Sequence, residues 1–551
     1  MQRVRTKFLF FVAACAIWVL LSGLVRAASP AANEHWVYNT VKGDTLIGIA
    51  ETYLGPRNGW RDLQRLNNVR NPQRLMTGQP LRIPVAWLRR DVTVAVVLRV
   101  YGDVRVGATV EVSTPVTTST ALRAGDVIHT AEQSNATLRF VDGSRLLIAQ
   151  NSRVAVERLL VYGKTGLGET RLRVEQGSTD SQVSPPPGRD TRFEIQTPTM
   201  HLGVRGTEFR VRVDPIAKLS HAEVLSGQVA ASGNKSKVLV KAGFGTLADA
   251  TGTPEAPRAL IAAPDLGGLT PPVLERVPLR LTWPALAGAK GYRAQVFADR
   301  EFDRLLLDGV FRAPVARWPD LPDGSYVLRV RALAADGLEG LNADADFVLK
   351  ARPEPPFVRQ PGENAKLYGD TVVFEWTRHA QAARYRLQVS DSAKFATALL
   401  DSSTLSDSTH SMQLAPGRYH WRMASILADG DQGPLGDVQS FELHKIPESP
   451  AMEAPAVTDD QVQLRWRAGE PGGSFQFQFA TDPEFEHVLV DELTSETAVV
   501  LPRPGPGKYY LRVKSIAADG FAGPFGATQE MSLPLSKWWL LVPAGLILWS
   551  L

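Results

Sequence analysis

Arg205 stands between Val204 and Gly206, and its planar fork of donors could grip a carboxylate such as a peptide stem or a partner's acid. The same fork could pair within the chain, to Glu208 or Glu194, and hold two strands in register, which is the simpler expectation. Other chemistry-bearing residues are sparse. The nine histidines are scattered without metal-ligand spacing of the H-E-x-x-H kind, and His201 and His221 could meet within one domain but have no evident carboxylate partner. No nucleophile elbow, phosphate-cradling loop, Gly-rich dinucleotide turn or recognisable carboxylate pair occurs. Cys15 is the one cysteine in 551 residues. The expectation is therefore a protein that is not an enzyme, with no catalytic residue, cofactor or metal site.

The elements around these residues say more. Residues 36–84 open on Val41-Lys42-Gly43-Asp44-Thr45-Leu46 and close on Gly78-Gln79-Pro80-Leu81-Arg82-Ile83-Pro84. Leu46, Ile49, Ala50 and Tyr53 recur at helical spacing behind the potential N-caps Asp44 and Thr45, and Trp60, Leu63 and Leu66 form a second apolar set before Asn67-Asn68. The order is strand, helix, helix, strand. This segment, taken as residues 35–85, resembles the LysM module, a small α+β (βααβ) fold. The resemblance implies binding of N-acetylglucosamine-containing glycans, in bacteria peptidoglycan. By position it places the sugar between a first loop, Gly43, Asp44, Thr45 and Leu46, and a second, Arg70, Asn71, Pro72 and Leu75. Exposed backbone groups can recognise an acetamido group beside a small apolar wall for its methyl. The alternative for Gly43 and Asp44 is that they only make the turn and cap the helix.

From Val92 onward, short alternating strands separated by Gly and Asp turns replace the helices. Val94, Val96 and Leu98 alternate, as do Leu138 and Phe140, Leu172 and Val174, Phe193 and Ile195, and Phe209, Val211 and Val213, and Asp142-Gly143 reads as a hairpin turn. Four motifs follow in order: Leu122 to Ile128, Phe140 to Ser144, Phe193 to Pro198, and Val204-Arg205-Gly206-Thr207-Glu208-Phe209, with Leu225-Ser226-Gly227-Gln228-Val229 behind them. Together they resemble the FecR domain, expected over residues 92–248 and all-β. That family was named for membrane regulators that signal to a sigma factor through a cytoplasmic N-terminal domain. Here a cell-wall module follows the apolar N-terminal segment instead, so the expectation is an exported scaffold or sensor.

The remainder repeats. Trp283, Trp376 and Trp466 are 93 and 90 residues apart, and Tyr326, Tyr419 and Tyr509 and the Asp-Gly pairs at 336, 429 and 519 keep the same two intervals. An early Trp, a Tyr at a strand start and about 90 residues of short strands describe an immunoglobulin-like sandwich. The Tyr-x-Leu-Arg-Val of two copies resembles fibronectin type III domains. Three such sandwiches are expected over residues 270–350, 355–445 and 450–534, bounded by Pro-rich junctions that include Pro271-Pro272, with the tryptophans in their cores rather than stacked on carbohydrate.

Residues 1–27 read as an export signal: Arg3, Arg5 and Lys7, an apolar run from Phe8 to Leu24, and Val25-Arg26-Ala27 as the cleavage site. An uncleaved anchor and a lipoprotein signal at Cys15 are the alternatives. Cleavage leaves a thiol-free chain suited to an oxidising envelope compartment. Residues 537–551, rich in Trp and Leu and interrupted by Pro543, could lie at a membrane interface or pack on the last sandwich. A net charge of +4 gives no reason to expect nucleic acid. The whole describes a periplasmic or envelope protein, with a tail that could associate it with a membrane, that holds peptidoglycan and presents β-modules to an unknown envelope protein. The alternative is a signalling component whose FecR domain senses a ligand and informs a membrane partner.

Overall fold

The computed structural model describes residues 35–185, 192–269, 273–467 and 473–534. The expected signal, the apolar tail and Pro271-Pro272 lie outside those residues. Among the described residues no helix is long and apolar enough to cross a membrane. The chain divides into two compact units, one ending at Ala351 and one beginning at Arg352.

The first unit opens with β1 (His35–Asn39), α1 (Leu46–Tyr53), α2 (Trp60–Asn67) and β2 (Pro80–Pro84), the two strands pairing antiparallel with Trp36 opposite Ile83. Thr45, not Asp44, caps α1: its Oγ1 accepts from Gly48 N–H at 3.0 Å. Asp62 closes the start of α2 by accepting from Gly59 N–H at 2.9 Å. Leu46, Ile49, Leu63, Leu81 and Ile83 form the core, with Trp60 packed against it, whereas Leu66 is exposed. The Asn67 amide replaces a strand partner, accepting from Arg82 N–H at 2.7 Å and donating to Arg82 C=O at 2.9 Å, which pins α2 to β2. Tyr162 and Leu167, from far along the chain, complete this core, so the small module is built onto the next domain.

Strands from Arg90 to Ala259 follow in a closed arrangement of two sheets around one apolar core that includes Val97, Leu138, Leu172, Phe193, Phe209 and Val211. The inward residues of strand Ala95–Tyr101 are Ala95 and Val97, not Val94, Val96 and Leu98. The run is apolar on both faces, so alternation does not choose a side, and a bulge between Val97 and Arg99 shifts the register. One 15-residue strand, Gly168–Gln182, belongs to both sheets: its first part pairs with Arg153–Tyr162 and its last with Glu208–Asp214. The change occurs at Gly177, where φ is +86° and a Cβ would stand 2.1 Å from Ser152 Oγ, so only glycine fits. Residues 140–144 make the expected hairpin turn, with Gly143 at φ +84°.

Each repeat is a β-sandwich. The first packs the sheet of Leu305–Phe311, Gly291–Phe297, Gly324–Leu333 and Ala343–Leu349 over Leu279–Thr282 and Val315–Trp318. The second and third repeat this plan within the other unit. Trp283, Trp376 and Trp466 are 6, 2 and 3% exposed, which places them in the cores. The hydroxyls of Tyr326, Tyr419 and Tyr509 each donate to the carbonyl four residues earlier, at 2.6, 2.7 and 2.9 Å, closing the same corner three times.

Candidate functional site

The two loops expected to hold a sugar lie side by side. Leu46 N–H donates to Pro72 C=O at 2.9 Å, and Thr40 ties β1 to the far end of the second loop through Met76 C=O, Gly78 N–H and Gln79 N–H. Gly43, at φ +95°, is exposed at the tip of the first loop. Asp44 accepts from Val41 N–H at 2.7 Å and from the Tyr38 hydroxyl at 2.9 Å, and burial together with that carboxylate pushes the Tyr38 hydroxyl up to about 12. Thr45 is committed to its cap and the Leu46 side chain is fully buried, so these two contribute position and backbone. On the second loop Arg70 and Asn71 are exposed, Pro72 and Leu75 half-buried, and Asn71 Oδ1 accepts from Gln73 N–H at 3.0 Å. Lys42, Arg74 and Met76 also face solvent on these loops; Met76 is 76% exposed. No pattern in the sequence distinguished those three.

The FecR-like motifs meet. Gly227 sits so close to the 204–209 motif that a Cβ would lie 2.7 Å from Gly206 C=O and 2.9 Å from Thr207 Oγ1, while the Thr207 hydroxyl donates to Arg205 C=O and Gln228 C=O. Glu194, one of the two expected partners of Arg205, accepts from Arg171 at 2.8 Å. The motif ends against a cleft of about 690 Å³ whose other wall is the Arg300–Asp303 turn of the first sandwich. His201 is exposed, whereas His221 is buried beside Asp336 C=O, and burial lowers it to about 4. Among the described residues no group of three or more His, Cys, Asp or Glu side chains could hold a metal ion.

Residues 38–84 match the LysM domain family and residues 126–230 the family described as FecR protein. The chain carries a LysM domain and a FecR domain. No curated protein matches the chain. Similar solved structures include a protein from Parabacteroides distasonis described as an anti-sigma factor, at 15% identity and a TM-score of 0.21, over 24% of this chain and 59% of that one. The FN1–FN3 domains of chicken CNTN1 match at 15% identity and a TM-score of 0.24, over 46% of this chain and 93% of theirs. Fibronectin(III)-like modules of Clostridium thermocellum CbhA match at 12% identity and a TM-score of 0.22, over 33% of this chain and 95% of theirs. The chain thus spans about three-fifths of the first of these structures.

The sequence did not reveal that the FecR domain and first sandwich join through buried charge. Glu339 receives Arg331 at 3.0 Å and Arg293 at 3.1 Å, Arg331 also reaches Asp180 of the FecR domain, and Arg293 donates to Ser178 Oγ at 3.2 Å. From the FecR side Arg210 donates to the carbonyls of Glu339 and Gly340 at 3.0 and 2.7 Å, and Glu223 accepts from Glu339 N–H at 3.1 Å. Burial acts to raise Asp180 and Glu339, but the surrounding arginines outweigh it and hold both carboxyls below their usual range. Glu223 goes the other way, because burial dominates there. An apolar patch of Leu147, Phe297, Leu305 and Val327 borders the charges.

Proposed function

We propose that this is an exported cell-envelope protein that holds peptidoglycan through its LysM domain and displays the FecR domain and sandwiches as a scaffold. The sugar contacts fall to Gly43, Asp44, Thr45, Leu46, Arg70, Asn71, Pro72 and Leu75, the last giving a small apolar wall for an acetamido methyl. The observation that carries the reading is the Leu46 to Pro72 hydrogen bond, which sets the two loops side by side with Gly43, Arg70 and Asn71 facing solvent. Backbone recognition of this kind suits a repetitive polymer, where each contact is weak and many copies are available. The firm seat of the first sandwich on the FecR domain favours a fixed scaffold over a free-standing sensor.

The test is retention of the full-length protein on purified sacculi and titration with chitin oligomers. Affinity in the micromolar range or weaker is expected, roughly −8 kcal/mol at most. Gly43→Val, which strains a φ of +95°, should lower retention severalfold. A full-length chain that neither sediments with sacculi nor binds the oligomers overturns the glycan assignment.

A further inference from the structure

The intervals of 93 and 90 residues that align the tryptophans also align the outer sheet faces. Arg293, Gln295, Phe302, Asp308 and Arg329 correspond to Arg386, Gln388, Phe395, Asp401 and Arg422, and to Gln476, Gln478, Phe485, Asp491 and Arg512. The geometry repeats with them. The aspartate receives its cross-strand partners at 2.6 and 2.9 Å from Arg293, at 2.7 Å twice from Arg386, and at 2.7 and 2.9 Å from Gln476 and Gln478. The second arginine lies over the phenylalanine at 3.5, 4.1 and 3.8 Å, and each phenylalanine has positive φ. In the first repeat this is the face that grips the FecR sheet, with Arg293, Gln295, Arg329 and Arg331 between 1 and 8% exposed.

What the third repeat changes points to a ligand. The place of Arg331, which reaches out to Asp180, is Ala424 in the second repeat but Lys514 in the third. The carboxylates that balance the cations at home, Glu339 and Asp344, become Ala522 and Ala527. Among the described residues Arg512 donates to Gln478 Oε1 at 2.9 Å and lies over the rings of Phe485 and Phe525, Lys514 lies over the Phe525 ring at 4.6 Å, and Asp491 alone stands near enough to act on both cations, one carboxylate for two positive charges. Beside them strand Val488–Thr494 exposes Leu489 and Leu493, at 55 and 68%. We propose that this face of the third repeat, centred on Gln478, Asp491, Arg512 and Lys514, docks an exposed β-sheet face of a partner protein that supplies carboxylates to the two cations. A second copy of this chain is a poor fit, because its FecR sheet is already covered by its own first repeat.

The experiment places the photo-crosslinking residue p-benzoylphenylalanine at Leu493 of the full-length protein in its source organism. One protein adduct is expected, with the crosslinked partner peptide in an acidic strand. Arg512→Glu with Lys514→Glu should reduce it at least tenfold, and reversing the partner's carboxylate to lysine should restore it. Lys514→Ala keeps the test clear of misfolding, since alanine stands at that place in the second repeat, and should weaken the adduct severalfold with unchanged thermal unfolding. Arg386→Glu in the second repeat should leave it intact. No protein adduct, an adduct with a second copy or a glycan, or an adduct indifferent to these changes overturns the proposal.

Discussion

The ion pair Arg293–Asp308 of the first repeat and Arg386–Asp401 of the second occupy equivalent positions with nearly equal distances, yet their surroundings differ. The first pair is 9 and 7% exposed, the second 29 and 37%. The first belongs to a charge network sealed between two domains, where an unpaired donor is costly because water cannot substitute. The second is a cross-strand pair on an open sheet, where solvent screens it. The repeats therefore inherit one face, and whether that face is structural or available depends on what covers it.

The sharpest break of this comparison is Glu339→Ala. It strips Arg293 and Arg331 of a shared acceptor and should cost roughly 3–5 kcal/mol, the usual penalty for leaving buried charge uncompensated. Denaturant unfolding of the full chain should show the loss in the transition of the first unit alone. Trp283→Ala and Trp376→Ala supply the control, since both side chains lie in sandwich cores whatever covers the outer face. Each should cost about 3–5 kcal/mol, and equal losses in the two repeats are expected from the same measurement. Exposure of Trp376 behaving like a surface residue, with a loss under about 1 kcal/mol, would reopen carbohydrate stacking for that position.

Periodicity and turn chemistry were enough to read the modules. The helix spacing from Leu46, the Asp142-Gly143 hairpin and the three Trp and Tyr registers all lead to the elements observed, because each depends on local pattern. The junction was harder, since partnership between Asp180 and Arg331 is set by tertiary docking. A signal was nevertheless present: Arg293 and Gln295, and Arg329 and Arg331, alternate within otherwise apolar strands, and the same five outer positions recur through both intervals. The apolar run at Val94 misled for the opposite reason, since it offers two equivalent faces. In the two loops proposed to hold glycan, backbone atoms would do the binding, so side-chain identity left Lys42, Arg74 and Met76 unmarked.

Acid should separate the covered face from the open one next. Burial, then Arg212, lowers His221 to about 4, while Asp336 and Glu339 act to raise it. A base with a depressed folded value binds protons more readily when unfolded, so its contribution is complete above the unfolded value near 6.5 and declines as pH falls toward 4. The slope should reach at most about 1.4 kcal/mol per pH unit. Asp180 and Glu339 are held low by arginines, so their contribution is present above the unfolded carboxylate range and is lost only below about pH 4. Unfolding of the first unit followed from pH 7 to 4 should show the decline, and His221→Gln should flatten it. An unchanged slope in that variant would assign the acid sensitivity elsewhere.

The smallest effect tests the open pair. Asp401→Ala removes the acceptor of Arg386 and of Gln388 Nε2, the latter at 2.9 Å, and the hydrogen bonds from those groups hold the carboxyl down at about 2. That low value measures a real preference for the ionised form, but the pair is about one-third exposed and water can replace the lost acceptor, so the cost should be under about 1 kcal/mol. Raising salt to about 1 M, where the screening length shrinks to about 3 Å, should erase much of it. Equilibrium unfolding of the second unit at low and high salt measures both quantities. A loss of several kcal/mol at Asp401, insensitive to salt, would mean that the second repeat's face is covered too, and the contrast with Glu339 would collapse into a single buried design used twice.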